Sequence, residues 1–343
     1  MTTDQPYTSI ALFGATGQVG SAILDALLHP SVPDYQPSIR CFFRESERGK
    51  VEKKVPEQER VERVFLDKFD DVDELAEKLK GVDAVVSALN GPGLAAQYPL
   101  LDAAVKAGVK RFVPSEMGHH QLYRPPGAEF ATLHKYWSEK DAFNTHLQLH
   151  PAAMDGRISF TIVGCGDFWD QPREKYWAAW AQEELPEKYQ LPIVGDPNAK
   201  AEFTKITDMG QYIAALLSAP STSHNAFLNF VSDHLSQQEM ADLLQSASGR
   251  PVEPDYVSEE QAHRYIAHPE EAPERARETA FAADFWFQVK LLQGQGRFRR
   301  HPSQIHNDLY PSVKPTRFSE WLAREVGPKA MKQKQKQKQK QKQ

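Results

Sequence analysis

SIALFGATGQVGSAILDALL, residues 9 to 28, joins a strand pattern to a helix pattern through a glycine turn. SIALF is a short apolar run of strand character, and Val19, Ala22, Ile23, Ala26 and Leu27 then recur at helical spacing. Between them lies GATGQVG, with Gly14, Gly17 and Gly20 in the order G-x-x-G-x-x-G. Glycines at a strand-to-helix turn let the backbone come close to a pyrophosphate, while the free N–H groups and the helix dipole face the anion. The turn is therefore expected to bind a dinucleotide, with Gly14, Ala15, Thr16, Gly17, Gln18, Val19 and Gly20 forming the cradle.

Moving outward, the same alternation repeats. Apolar runs stand at 38–43 (SIRCFF), 61–66 (VERVFL), 82–89 (VDAVVSAL), 109–115 (VKRFVPS) and 157–164 (RISFTIVG). Helical patterns fall between them at about 72–79, 99–106 and 128–149. Short apolar runs separated by amphipathic helices predict an α/β fold, a doubly wound parallel sheet covered on both faces. Past residue 165 the alternation loosens, with helices expected at 207–218 and 236–247 and an apolar run, AFLNFV, at 226–231. The expected division is a dinucleotide-binding domain over 8–164, a smaller substrate domain over 165–328 that AFLNFV could interleave with the main sheet, and a disordered Lys/Gln tail over 329–343.

Composition narrows the function classes. The 343 residues are 40% hydrophobic and 25% charged, with no apolar run of membrane-spanning length. The first residues lack the pattern of a secretory leader, and Cys41 and Cys165 are the only cysteines, so a reducing, cytoplasmic setting is expected. Six lysines follow Met331 in alternation with glutamine, which makes the rest of the chain more acidic than the net charge of −5 and argues against nucleic acid as a partner. The expected partner is a small molecule, with no membrane involved and a homodimer allowed. No metal site is expected: His146 and His150 have ligand spacing on a helix but no evident third ligand, and His119 and His120 are neighbours in a loop.

The end of the second strand indicates which dinucleotide. An acidic residue there would suit ribose hydroxyls, whereas a 2′-phosphate calls for a guanidinium. CFFRESERGK offers Arg44, with Arg48 and Lys50 behind it, so NADPH is expected; Glu45 is the rival group, and a surface pair of Arg44 with Glu45 or Glu47 is the plainer alternative. Ligands in such folds lie beyond the carboxyl ends of the strands, which places Ser87–Gly91 (with Asn90), Pro114–Gly118 (with Ser115) and Gly164–Phe168 around the nicotinamide. Asp67 could reach the adenine or simply start a turn. Cys165 reads as a small buried filler. Phe168, Trp169, Tyr176, Trp177 and Trp180 cluster after the last strand of the first half; they are either core or the wall of an apolar substrate pocket.

GATGQVG, the arginine of FFRES, RFVPSEMG, the lysine of SEKDAF and IVGDPNAKAEFTKITDMGQYIAALL together resemble the NmrA-like, isoflavone reductase-like branch of the atypical short-chain dehydrogenases/reductases, over roughly residues 8 to 320. The resemblance implies a Rossmann domain, NADPH and a smaller C-terminal substrate domain. It also implies either a reductase or a non-catalytic, NADP-sensing regulator that binds a partner protein, the two classes that the family contains. A catalytic lysine follows the PSE-type turn in its reductases, and Lys140 is the match, with Lys135 as rival. Tyr136 and Lys140 also form Y-x-x-x-K, similar to the catalytic pair of the wider short-chain superfamily. Four residues apart on a helix, a phenol and an ammonium share one face. A free tyrosine ionises near pH 10, and a neighbouring ammonium favours its phenolate, so the pair could exchange a proton at neutral pH while Lys140 also holds the nicotinamide ribose. Ser115 could donate a hydrogen bond to the substrate. The expected activity is hydride delivery to a C=C, C=N or C=O bond of a small, largely apolar metabolite.

Overall fold

The computed structural model describes residues 5–55, 57–118 and 134–327; His119, His120 and the Lys/Gln tail lie outside them. Strand and helix alternate through the first half as β1 (Ser9–Phe13), α1 (Gln18–Leu28), β2 (Ser38–Arg44), α2 (Arg48–Lys54), β3 (Val61–Leu66), α3 (Val72–Leu79) and β4 (Ala84–Ser87). The series goes on with α4 (Gln97–Ala107), β5 (Arg111–Val113), α5 (Lys135–Leu149), α6 (Pro151–Met154) and β6 (Ser159–Gly164). The second half contains β7 (Asp167–Phe168), β8 (Tyr189–Val194), β9 (Lys200–Thr204), α7 (Ile206–Ser218), β10 (Ala226–Asn229) and β11 (Asp233–Ser236). It continues with α8 (Gln237–Ser248), β12 (Val252–Val257), α9 (Glu259–Ala267), α10 (Glu274–Arg277), α11 (Ala283–Gly294) and α12 (Phe318–Glu325).

Seven strands form one sheet in the order β10-β6-β5-β4-β1-β2-β3, and every neighbouring pair is parallel. The order reverses direction beside β1, which opens a crevice at the carboxyl ends of β1 and β4, where such sheets take ligands. Side chains alternate along β1: Ile10 and Leu12 enter one apolar layer with Ile23 of α1, and Ala11 and Phe13 enter the other with Leu75 of α3 and Leu100 of α4. The apolar runs at 82–89 and 109–115 give shorter strands than their length suggests, because their first residues belong to the turns that precede each strand and their last residues lead into the loops that face the crevice.

The chain crosses back from its second half to complete this body. AFLNFV supplies β10, which pairs with β6 from Ala226↔Thr161 to Asn229↔Gly164. Helix α7, which follows β9, packs across α1, and the contact is close enough that a Cβ on Gly210 would stand 2.4 Å from the Ala22 carbonyl oxygen. The rest of the second half has its own core around Trp169, Trp177, Phe203, Trp286, Phe287 and Phe318, with a three-stranded sheet β11-β9-β7 and a two-stranded pair β12-β8. No helix among the described residues is long and apolar enough to cross a membrane.

Asp170 fastens the crossing helix: its Oδ1 accepts the amide of Ile206, the first residue of α7, at 2.9 Å. Burial pushes this carboxyl up to about 6, against the opposing pull of the Ile206 amide and Lys205. A carboxyl raised in the fold adds stability while protonated, and that contribution is lost as pH rises from about 4 through 6. Asp170→Asn keeps an acceptor for the Ile206 amide and removes the charge. Thermal melts should then show wild type and variant alike at pH 4 and the variant more stable at pH 7; a variant that melts lower at both values would contradict this assignment.

Candidate active site

The three glycines of the first turn do different work. Gly14 has φ +86, and a Cβ there would lie 2.6 Å from the carbonyl oxygen of Ala88, so the turn presses directly on the end of β4. A Cβ on Gly20 would meet the Gly14 carbonyl oxygen at 2.1 Å, so this glycine is what lets α1 start so close to its own strand. Gly17 is different: its φ is −78, a Cβ would meet only the Gly14 oxygen, at 3.2 Å, and the residue lines a cavity with Gln18 and Val19. Helix α1 begins there with no side-chain cap and no acid in its first turn. Its leading amides are thus open to an anion. Ala15 is buried beneath the turn and Thr16 is half-buried.

At the end of β2, Arg44 is exposed, with its guanidinium 5.9 Å from the centre of the Phe69 ring. Glu45 is instead held by Arg48 through two bonds, at 2.6 and 2.8 Å, and Glu47 pairs with Lys50 at 3.4 Å. Among the described residues Arg44 has no acidic partner, so its charge is available to an incoming anion. The hydrogen bonds from Arg48 hold the Glu45 carboxyl below the usual range, and it stays ionised and occupied. Asp67 is exposed, and it is Phe69 that supports the arginine.

A cavity of about 230 Å³ extends from Gly17–Val19 past Ala88, Leu89, Asn90 and Ser115 to Tyr136 and Lys140. The sheet topology brings these residues of the first half to one end, as the loop positions predict. The hydroxyl of Ser115 donates to the carbonyl of Leu89, and its amide donates to Gln97 Oε1 at 2.8 Å. The serine proton therefore ties the loop after β5 to the loop after β4, and what remains for a ligand is a lone pair. The ammonium of Lys140 donates to the carbonyl oxygen of Glu116 at 2.8 Å, and the Glu116 carboxylate accepts from Asn144 Nδ2 at 2.5 Å. Burial draws the Lys140 pKa below the ordinary lysine value, with Glu116 and Cys165 pulling the other way.

Tyr136 is half-buried in the cavity wall. Its ring lies 5.1 Å from the ammonium of Lys135, and His134 caps the start of α5 by accepting the Tyr136 amide at 3.4 Å. Among the described residues no hydrogen bond joins the Tyr136 phenol to Lys140. The two groups share the chamber and reach it separately. Asn90 is exposed at the same rim.

The far wall comes from the second half. Phe168 lines the cavity, whereas Trp169, Tyr176, Trp177 and Trp180 belong to the second core. The aromatic surface is supplied by Phe281, Phe285 and Trp286, together with Trp137 of α5. None of these four stands among the wall candidates of the sequence, although for Phe285 and Trp286 the run FWFQVKLL is apolar on nearly every side, the mark of a helix buried all round. Cys165 is buried and donates to the Met117 carbonyl at 2.6 Å; burial pushes its thiol up, so it is an unreactive filler. His150 caps the Ala152 amide at 3.1 Å and meets Asp102 at 3.2 Å, which accounts for it without a metal.

Comparison with known proteins bears on the family and the fold. A sequence model described as the NmrA-like family matches residues 6–322. A phenylcoumaran benzylic ether reductase of Pinus taeda is 26% identical over 330 residues, covering 92% of this chain and 98% of that protein. Among solved structures, one determined with NADP+ and (+)-pinoresinol superposes with a TM-score of 0.69 at 23% identity, over 94% of this chain and 99% of the other. The ternary complex of leucoanthocyanidin reductase from Vitis vinifera gives a TM-score of 0.70 at 21% identity, over 93% and 99%. At that identity the structural likeness speaks for the fold alone.

The glycine geometry separates folding from binding. Gly20→Ala forces the Gly14 carbonyl to move and should lower Tm by about 5 °C or more. Gly17→Ala should keep Tm within about 2 °C and weaken binding of a nicotinamide dinucleotide about tenfold. Differential scanning fluorimetry and a binding titration on both variants read out the two effects.

Proposed function

The chain belongs to the NmrA-like family, and from that premise we propose that it is an NADPH-dependent reductase of a small, largely apolar secondary metabolite. The observation that carries this reading is a single chamber bounded by the glycine turn, Ser115, Tyr136 and Lys140 on one side and by aromatic side chains on the other. The relatives named as reductases, and the neighbour solved with NADP+, support it. A regulator that only senses a dinucleotide would have no use for an enclosed aromatic chamber beside these groups.

The residues present suit the cofactor. The open space at Gly17 and the uncapped start of α1 would take the pyrophosphate, with Gly14, Ala15, Thr16, Gln18, Val19 and Gly20 shaping the turn. Arg44, free of any acidic partner among the described residues, would take the 2′-phosphate. Asn90 and Lys140 would flank the nicotinamide and its ribose. When bound, the reduced nicotinamide supplies a hydride for a C=C, C=N or C=O bond.

The chain's own residues supply the proton and the order. Lys140 holds a proton on Nζ that its burial makes easier to release, and the Glu116 carbonyl keeps that atom in place. Tyr136 Oη is the second group able to give a proton into the same space. Ser115 ties the loop after β5 to the loop after β4 and can accept from a substrate hydroxyl. The segment beyond residue 165 serves as the substrate domain: its aromatic wall excludes water and packs against an apolar substrate.

With a substrate identified by NADPH oxidation against enones, imines and benzylic ethers, Lys140→Ala should lower kcat about 100-fold or more. Full turnover in that variant would end the catalytic assignment. The alkaline limb of kcat/KM should lie below the ordinary lysine value, since loss of the Nζ proton ends its role as donor. Tyr136→Phe distinguishes the phenol's part, and a loss under about tenfold would reduce it to a wall residue. Arg44→Asp should raise KM for NADPH about tenfold or more while leaving KM for NADH nearly unchanged; equal changes would refute the 2′-phosphate contact.

A further inference from the structure

Beneath the aromatic wall the cavity has a polar floor. Asp167 Oδ2 accepts from Lys290 Nζ at 3.0 Å and from Gln293 Nε2 at 2.8 Å, and Lys290 also donates to Gln293 Oε1 at 3.1 Å. Asp167 Oδ1 accepts from Gln171 Nε2 at 3.3 Å, and that same nitrogen donates to the Phe168 carbonyl at 2.9 Å. All four side chains are buried, yet Asp167 and Gln171 border the cavity. The orientation of the Gln171 amide is settled by chemistry: one of its ends faces two acceptors, and only an NH2 can do so. Both of its protons are therefore engaged.

Its carbonyl oxygen must point the other way. Gln171 is 7% exposed, and its Oε1 receives no hydrogen bond from the described residues. Nor is it among the polar atoms sealed in the interior without a partner. An acceptor that opens onto a mostly apolar chamber pulls strongly on a ligand donor, because water is scarce there and an unmet acceptor is costly. Of the floor side chains, Asp167 and Gln171 border the cavity; they present acceptor oxygens, and both Gln171 amide protons are already engaged.

We propose that Gln171 Oε1, backed by Asp167, is the polar anchor for the substrate. It takes a hydroxyl or N–H carried by an otherwise aromatic molecule, and it disfavours the same molecule once that group is methylated or replaced by a carboxylate. This rests on the reductase reading only in taking the cavity as the substrate site.

The test uses the full chain and three probes: 4-hydroxybenzylideneacetone, its 4-methoxy analogue and its 4-carboxy analogue. Dissociation constants are measured by calorimetry with and without NADP+, on wild type and on Gln171→Met, which keeps length and loses the acceptor. Wild type should bind the hydroxyl probe about tenfold or more tightly than either analogue. Gln171→Met should bring the hydroxyl and methoxy probes within about twofold of one another by weakening the first alone, with the NADPH dissociation constant unchanged. A wild-type ratio near one, the absence of binding by any probe, or a preference retained in the variant would overturn the anchor. If the hydroxyl preference holds but NADPH neither binds nor is oxidised, it is the reductase reading that falls and the anchor stands.

Discussion

The carbonyl of Gly14 is the point on which the rest of the site depends. It accepts the amide of Gly17 at 2.9 Å, it lies against Gly20 where any larger residue would collide, and its own residue presses on Ala88 at the end of β4. Three segments thus meet with no side chain between them. Close backbone contact leaves the turn a single shape and starts α1 at a fixed distance from the sheet. The crevice has a firm edge for that reason, and the cavity can be measured from it.

A second constraint holds the two halves in register. Arg111 is buried in β5, and its partners among the described residues are neutral: Ser159 Oγ at 2.6 Å, Thr161 Oγ1 at 2.6 Å, Ser223 Oγ at 2.8 Å, and the Ser223 and Pro220 carbonyls at 2.9 and 3.0 Å. It joins β5 and β6 to the turn that leads into β10, so one guanidinium fixes the edge of the sheet. On the other side of the site, Arg300 pairs with Glu202 at 2.6 Å with almost no exposure of either side chain, and its Nη2 reaches back to the Gly118 carbonyl of the first half at 3.5 Å. Such groups add little net stability compared with an apolar filling, but losing one partner leaves a buried charge or several acceptors stranded. We read them as devices that admit one packing of the second half on the first.

These two constraints decide how the chemistry is arranged. Helix α5 brings Tyr136 and Lys140 to the chamber one turn apart, as its spacing requires. What surrounds each is then set by other elements: the Glu116 carbonyl from the loop after β5 takes the ammonium, and Lys135 and His134 sit by the phenol ring. The lysine is accordingly tuned by burial and the loop, whereas the neighbours of the phenol ring come from the start of its own helix. Ser115 has its proton committed to Leu89, which makes it a brace between loops as well as a member of the site.

Read alone, the amino-acid order determined what is written in neighbouring residues. The glycine turn, the alternation of strand and helix, the guanidinium at the end of β2 and the shared face of Tyr136 and Lys140 all follow from spacings of a few residues, because backbone geometry repeats over that range. The tertiary structure alone decided where proton donors and acceptors find partners. The bond from Lys290 to Asp167 spans 123 positions and that from Trp286 to Glu174 spans 112, and no local period marks either. Five aromatics after β6 are equally suited to a pocket wall by sequence; one faces the cavity, and the rest of that surface comes from Trp137 of α5 and from Phe281, Phe285 and Trp286, more than a hundred residues later. Packing chooses among chemically equal candidates by distance in space, and distance in space is what a linear order leaves open.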